Sequence, residues 1–207
     1  MTINLKVLDI SHHNDVTDFK AIYNFGIRGV IHKATQGTKI IDPMYTERKQ
    51  AALDAGLLWG GYLFADNSDP IAQLDHFLQY ANLGPHDLGA LDYEPWKYGT
   101  MSLDQARAFL QEYERVRGSK AVLYSGNLIK ETLTHKDDFF GAHRLWLAEY
   151  GPIPRLPIAW DKVWLWQFSG DGINSQGIKV PGISGELDLN SYDGSDDQLK
   201  AEWPDKP

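Results

Sequence analysis

Four carboxylates occupy positions where a carboxylate is costly. Asp9 lies in LKVLDIS, Asp92 and Glu94 lie in LGALDYEP, and Asp188 lies in GELDLNSY, each within or at the end of an apolar run. A charge in an apolar strand is expensive unless it is paired, hydrogen-bonded or placed at a wet mouth. In extended chain, residues i and i+2 share a face. Asp92 and Glu94 therefore point one way, and Leu91 and Tyr93 the other. Glu186, Asp188 and Asn190 share a face in the same manner. Crowded carboxyl groups drive their pKa values apart. One keeps its proton and can act as a general acid, while the others stay anionic and stabilise positive charge. Cleavage of a glycosidic bond needs that division, because its transition state resembles an oxocarbenium ion.

Such residues need rigid elements to hold them. Eight short runs rich in β-branched, aromatic or Leu residues read as strands: residues 5–10, 29–35, 59–65, 89–94, 121–125, 145–150, 163–168 and 185–192. Helical patterns cover residues 16–25, 44–55, 71–81, 103–116 and 127–133. Asp69-Pro70 and Ser102 supply starts, and Gly56 and Gly118 supply stops. Later connections, residues 151–157 and 170–182, are rich in Pro and Gly and read as loops. Five strand–helix units followed by three strands predict an α/β fold: one domain with a parallel sheet, closed as an irregular TIM-like (β/α)5(β)3 barrel. In such a barrel the chemistry sits at the C-terminal strand ends, where the acids of strands 1, 4 and 8 would meet. The chain has 207 residues, short for the roughly 250 of a full (β/α)8 barrel. Missing helices in the last three units account for the difference. The domain spans the whole chain, with a core over about residues 5–194 and a short, solvated tail over 195–207.

Charge and composition remove other classes. Twenty Lys and Arg oppose 28 Asp and Glu, a formal net charge of −8. No basic stripe suits nucleic acid, and no apolar run is long enough to span a membrane. The absence of cysteine excludes disulfides, thiolate zinc sites and a thiol nucleophile. No metal or other cofactor is expected. His12 and His13 would face opposite ways in extended chain and chelate poorly together, and His32 reads as a core or cleft-floor histidine. Asp193–Asp197 lacks the spacing and final Glu of a calcium loop. Seven Trp, ten Tyr and eight Phe fill a core or line a cleft, and composition does not choose.

The ordered motifs LDISHHN, IHKATQG, GGYLFA, LDYEP, LYSG, LWLAEY, LWQFS and GELDLNSY resemble glycoside hydrolase family 25, the Chalaropsis-type lysozymes that include many phage endolysins. The resemblance runs from Val7 to Gly194 and implies a five-plus-three barrel. It also implies a muramidase cleaving the β-1,4 bond between N-acetylmuramic acid and N-acetylglucosamine in bacterial peptidoglycan. It implies Glu94 as general acid, Asp92 as positioning or electrostatic partner, and Asp9 and Asp188 as groups that tune the acid and hold substrate or water. Tyr62, Tyr124 and Trp166 would pack against saccharide rings, and Gln167 and Lys33 would contact polar groups of the substrate. Two residues depart from the pattern. Gln36 stands where KATEG has Glu, and Leu63 stands where Tyr-His-Phe has His, so one polar contact at or behind the cleft is expected to be missing. A monomer is expected, made in the cytoplasm and reaching the wall after holin-dependent or specialised-secretion release. The competing readings are a catalytically weak glycan-binding barrel and another barrel glycosidase such as a chitinase. For the latter, Ala90 stands where the middle acid of DxxDxDxE belongs.

Overall fold

Residues 3–170, 173–174 and 177–204 are described by a computed structural model. Eight strands form the barrel: β1 (Leu5–Ile10), β2 (Gly29–Gln36), β3 (Leu58–Phe64), β4 (Leu88–Asp92), β5 (Val122–Ser125), β6 (Leu145–Ala148), β7 (Leu165–Ser169) and β8 (Asp188–Ser191). Strands β1 to β7 run parallel, each beside the next. Strand β8 pairs with both β7 and β1 and closes the ring.

The expected all-parallel sheet is corrected at β8, which runs antiparallel to both neighbours. A parallel return requires a crossover, usually helical, down the length of the barrel. The described part of residues 170–187 holds no helix, only the two-residue strand Ile183–Ser184, which pairs with Asp15–Val16. The chain therefore turns back at the mouth. Asp188 opens its strand instead of ending it, yet still reaches the mouth, directly opposite Asp9.

Helices α1 (Phe19–Phe25), α2 (Tyr45–Asp54), α3 (Pro70–Ala81), α4 (Leu103–Arg117), α5 (Asn127–Thr132) and α6 (Asp138–Gly141) follow β1 to β5. Their ends obey local chemistry. Asp18 and Asp69 accept hydrogen bonds from first-turn amides of α1 and α3, Ser102 and Gln105 form a capping box on α4, and Gly118 ends α4 in the left-handed region. Helix α1 starts three residues later than the pattern suggested, because Asp15–Val16 is held in its small sheet.

Strand alternation separates two apolar regions. Leu8, Val30, Leu63, Leu91, Leu123 and Trp166 pack outward against the helices. Val7, Ile31, Leu88, Ala90, Val122 and Leu165 fill the barrel interior. The tail corrects the solvated expectation. Ser195 and Gln198 cap helix α7 (Asp196–Glu202), and Leu199 and Trp203 are buried with the interior residues. Trp203 donates through Nε1 to the carbonyl of Trp59 at 2.7 Å. The charged face of α7 pairs with the barrel, as Asp196 bridges Lys6 and Arg28. Only two apolar residues on a short helix carry this role, too few for a periodicity to be seen.

Candidate active site

The inward face changes character along each strand. Below lie the apolar interior residues. Above, the same faces carry Asp9, Lys33, Tyr62, Asp92, Tyr124 and Gln167. Glu94 lies two residues beyond the end of β4, and its side chain reaches the same cleft, as does Asp188. The cleft holds about 250 Å³. All four acids from β1, the end of β4 and β8 line it, with Lys33, Tyr62, Tyr124 and Gln167. Lys33 is the only lysine or arginine among the described residues that line it.

Asp9 is buried but well supplied with donors. Gln167 Nε2 reaches both carboxylate oxygens at 3.1 Å, and Asn190 Nδ2 donates at 2.7 Å. The donors are themselves fixed. Tyr124 and Tyr150 hydroxyls donate to Gln167 Oε1 at 2.9 and 3.1 Å, and Trp146 Nε1 donates to Asn190 Oδ1 at 2.6 Å. Both amides are thus held with nitrogen toward Asp9, and both donate to its carboxyl group. Gly170 leaves room for this wall: a Cβ there would stand 2.2 Å from the Tyr150 hydroxyl and 2.8 Å from Asp188 Oδ1.

Asp92 is built in the opposite way. It is 5% exposed, and its Oδ1 is buried with no hydrogen-bond partner. Burial, and next the neighbouring Glu94, push its pKa well above the ordinary carboxylate range, while Lys33 pulls it back. Burial lowers the pKa of Lys33, and the charge of Asp92 opposes that shift. Burial and the surrounding acids raise both Tyr62 and Tyr124, which stay neutral hydroxyls at neutral pH. The cleft therefore holds one carboxylate clamped by neutral amides and one carboxyl with an uncompensated oxygen. Such a contrast sets the two buried carboxyl groups apart in hydrogen bonding and in charge.

A sequence comparison decides the family. Residues 8–177 match the profile of Glycosyl hydrolases family 25. The chain belongs to that family. It is similar to the N,O-diacetylmuramidase of Chalaropsis sp, at 28% identity over 93% of this chain and 95% of that one. It is also similar to the uncharacterized protein YegX of Escherichia coli O157:H7, at 29% identity over 94% of this chain and 71% of that one. The solved bacterial lysozyme from Streptomyces coelicolor superimposes with a TM-score of 0.86 at 25% identity, covering 98% of both chains. The protein is thus a glycoside hydrolase with a single-domain, closed eight-strand barrel.

Within this family 25 cleft, one aromatic expectation is corrected. Trp166 is fully buried on the outer face of β7, and its Nε1 donates to the Glu149 carbonyl at 2.7 Å. Its neighbour Gln167 faces the cleft, and adjacent strand residues face opposite sides. The cleft instead receives Trp146, whose ring packs against Tyr124 with centroids 4.5 Å apart. Tyr150, Phe64, Ser11 and His13 also line it. Trp146 and Tyr150 share one parity in the run 145–150, which is the signal that finds them; nothing local marks His13. Leu63 is likewise on the outer face, in the core between barrel and helices, so it removes no polar group from the cleft itself. Gln36 accepts a 2.6 Å hydrogen bond from Lys33 Nζ, and this neutral amide adds no negative charge beside the lysine.

The histidines part company. His12 and His13 sit in a turn with ring centroids 3.9 Å apart, not splayed as extended chain would have them. His12 Nδ1 pairs with Asp42 at 2.8 Å. His32 is buried, its Nδ1 against the Lys33 carbonyl at 2.7 Å, and burial pulls its pKa down to about 4. No group of three or more metal-ligating side chains occurs among the described residues, nor is any described helix long and apolar enough to cross a membrane.

Proposed function

We propose that this enzyme is a muramidase, cleaving the β-1,4 bond between N-acetylmuramic acid and N-acetylglucosamine in peptidoglycan. The observation that carries the reading is the convergence of Asp9, Asp92, Glu94 and Asp188 on one cleft at the barrel mouth. Membership in family 25 and the likeness to muramidases and lysozymes support the substrate.

Glu94 is the general acid in this reading. It is half-buried at the cleft rim, placed to meet a substrate entering from solvent. Its proton goes to the glycosidic oxygen as the C1–O bond breaks. A water adds at C1, and its proton returns to Glu94, which restores the enzyme. Asp92 answers the positive charge that develops on the sugar. No described protein group donates to its buried Oδ1. The reacting sugar, or its N-acetyl group, supplies a partner only as charge builds. The interaction thus favours the transition state over the bound substrate. Asp9, clamped by Gln167 and Asn190, holds the cleft's field constant. Tyr62, Tyr124 and Lys33 line the saccharide path.

Glu94→Gln tests the assignment. Wild type should clear cell-wall suspensions and release reducing ends that are N-acetylmuramic acid, while the variant loses at least about a hundredfold in kcat. Clearance by the variant at near wild-type rate would remove Glu94 from the reaction. Release of N-acetylglucosamine reducing ends would overturn the bond assignment.

A further inference from the structure

The loop after β4 carries aromatics that the catalytic reading leaves unused. Phe64, at the end of β3, lines the cleft beside Asp92 and Glu94. Trp96, two residues past Glu94, meets Phe64 edge-on with centroids 5.3 Å apart. Tyr98 meets Trp96 the same way at 5.2 Å. The rings lead away from the catalytic acids: Phe64 and Trp96 are half-buried, and Tyr98 is 73% exposed.

The loop presenting them is tied down. The Trp96 amide donates to Thr100 Oγ1 at 3.0 Å, and the Gly99 amide donates to the Trp96 carbonyl at 3.0 Å. Gly99 has a φ of +134°, and a Cβ there would stand 2.3 Å from the Asn67 side chain. This close approach presses the turn onto the loop after β3. Gln105 ties the same loop to the start of α4, donating to the Asn67 and Ser68 carbonyls at 3.1 and 3.2 Å. A large, exposed aromatic on a rigid turn loses little freedom when it is covered. The Lys97 ammonium stands 4.8 Å from the centre of the Tyr98 ring, which fixes one face of that ring from within the loop itself.

We propose that Trp96 and Tyr98 form a saccharide-stacking platform that extends the cleft beyond the sugars at the cleaved bond. This rests on the muramidase reading. Its ligand is a β-1,4-linked N-acetylhexosamine strand. Such pyranose rings carry mostly equatorial substituents, so their faces are flat arrays of C–H groups that pack on aromatic rings. Continuity with the cleft through Phe64 makes the platform part of one glycan path. The platform acts on binding and not on chemistry, so it favours long strands over short ones.

Tyr98→Ala is the direct perturbation, because an exposed loop side chain can be removed without disturbing the core. On polymeric glycan strands it should raise KM roughly three- to tenfold, with kcat within about twofold. The effect should shrink on muro-oligosaccharides just long enough to be cleaved, and Tyr98→Phe should retain the wild-type KM. An unchanged KM on the polymer, or an equal loss on both substrate lengths, overturns the platform. Tryptophan fluorescence titration of chitin oligosaccharides into Glu94→Gln protein, with and without Tyr98→Ala, separates the two readings. Equal binding by the two proteins overturns the platform alone. A wild type that neither binds nor cleaves glycan overturns the muramidase reading as well.

Discussion

Replacing Asp92 with Asn should make the protein more stable at neutral pH while disabling it. Asp92 is 5% exposed, and its Oδ1 has no hydrogen-bond partner. Burial first, then Glu94, raise its pKa, with Lys33 as the opposing influence. Because the folded-state pKa lies above the ordinary value of about 3.9, the folded protein retains this proton at pH values where the unfolded chain has lost it. Stability held below the unfolded pKa is therefore lost as pH rises through the folded one, by up to about 1.4 kcal/mol per pH unit. Asn is isosteric and does not titrate. An unsatisfied buried group costs about 1–3 kcal/mol and more when charged, so Asp92→Asn, which removes the charge and keeps the shape, should gain on the order of 1 kcal/mol at pH 7 and nothing near pH 3.5. Urea unfolding of both proteins from pH 3.5 to 7.5 measures the difference, which includes the repulsion between Asp92 and Glu94 that the substitution removes. Turnover on peptidoglycan should fall by two orders of magnitude or more over the same range, because the amide cannot answer positive charge. A variant less stable than wild type at pH 7, or a gain that does not change with pH, would refute the reasoning.

The clamp on Asp9 makes the converse prediction. Asn190→Asp keeps the acceptor for Trp146 but replaces the donor 2.7 Å from Asp9 with a second acid. One proton must then be held between them at pH 7, at a cost of up to about 4 kcal/mol. Denaturant midpoints should recover as pH falls toward 4, and a pH-independent loss would contradict the pairing. Gln36→Glu places a carboxylate 2.6 Å from Lys33 Nζ, cancelling the cation that holds Asp92 down. The pH–rate profile should move upward by about half a unit to one unit with kcat retained within a few fold, and an unmoved profile would rule out that coupling.

Much of the barrel is legible in the sequence. Seven of the eight strands run parallel, as the alternation of apolar runs and helical patterns suggested, because βαβ connection is a local matter of segment length and chirality. Strand β8 was legible as a strand but not in its direction, since direction depends on whether the preceding loop crosses the barrel. Helix α7 read as a solvated tail because its two buried residues, Leu199 and Trp203, acquire meaning only under the barrel floor. The acids were legible because a carboxylate in an apolar strand is conspicuous. Trp166 points away from the cleft, a side the resemblance does not fix because it carries a motif and not a strand parity, while Gln167 beside it faces the cleft and is engaged by Asp9, Tyr124 and Tyr150.

The sequence by itself determined the inventory: four strand-end acids, no thiol chemistry, and a strand count that places those acids at one end of a barrel. These follow from composition and from two- and 3.6-residue periodicities, which are local. Only the tertiary structure decided what surrounds each acid. Asp9 is clamped by amides from β7 and β8 and Asp92 is left without a partner on one oxygen. That difference arises from groups nearly the whole chain apart, and solvation and hydrogen bonding at a buried carboxyl are set by whatever surrounds it in space, not along the chain.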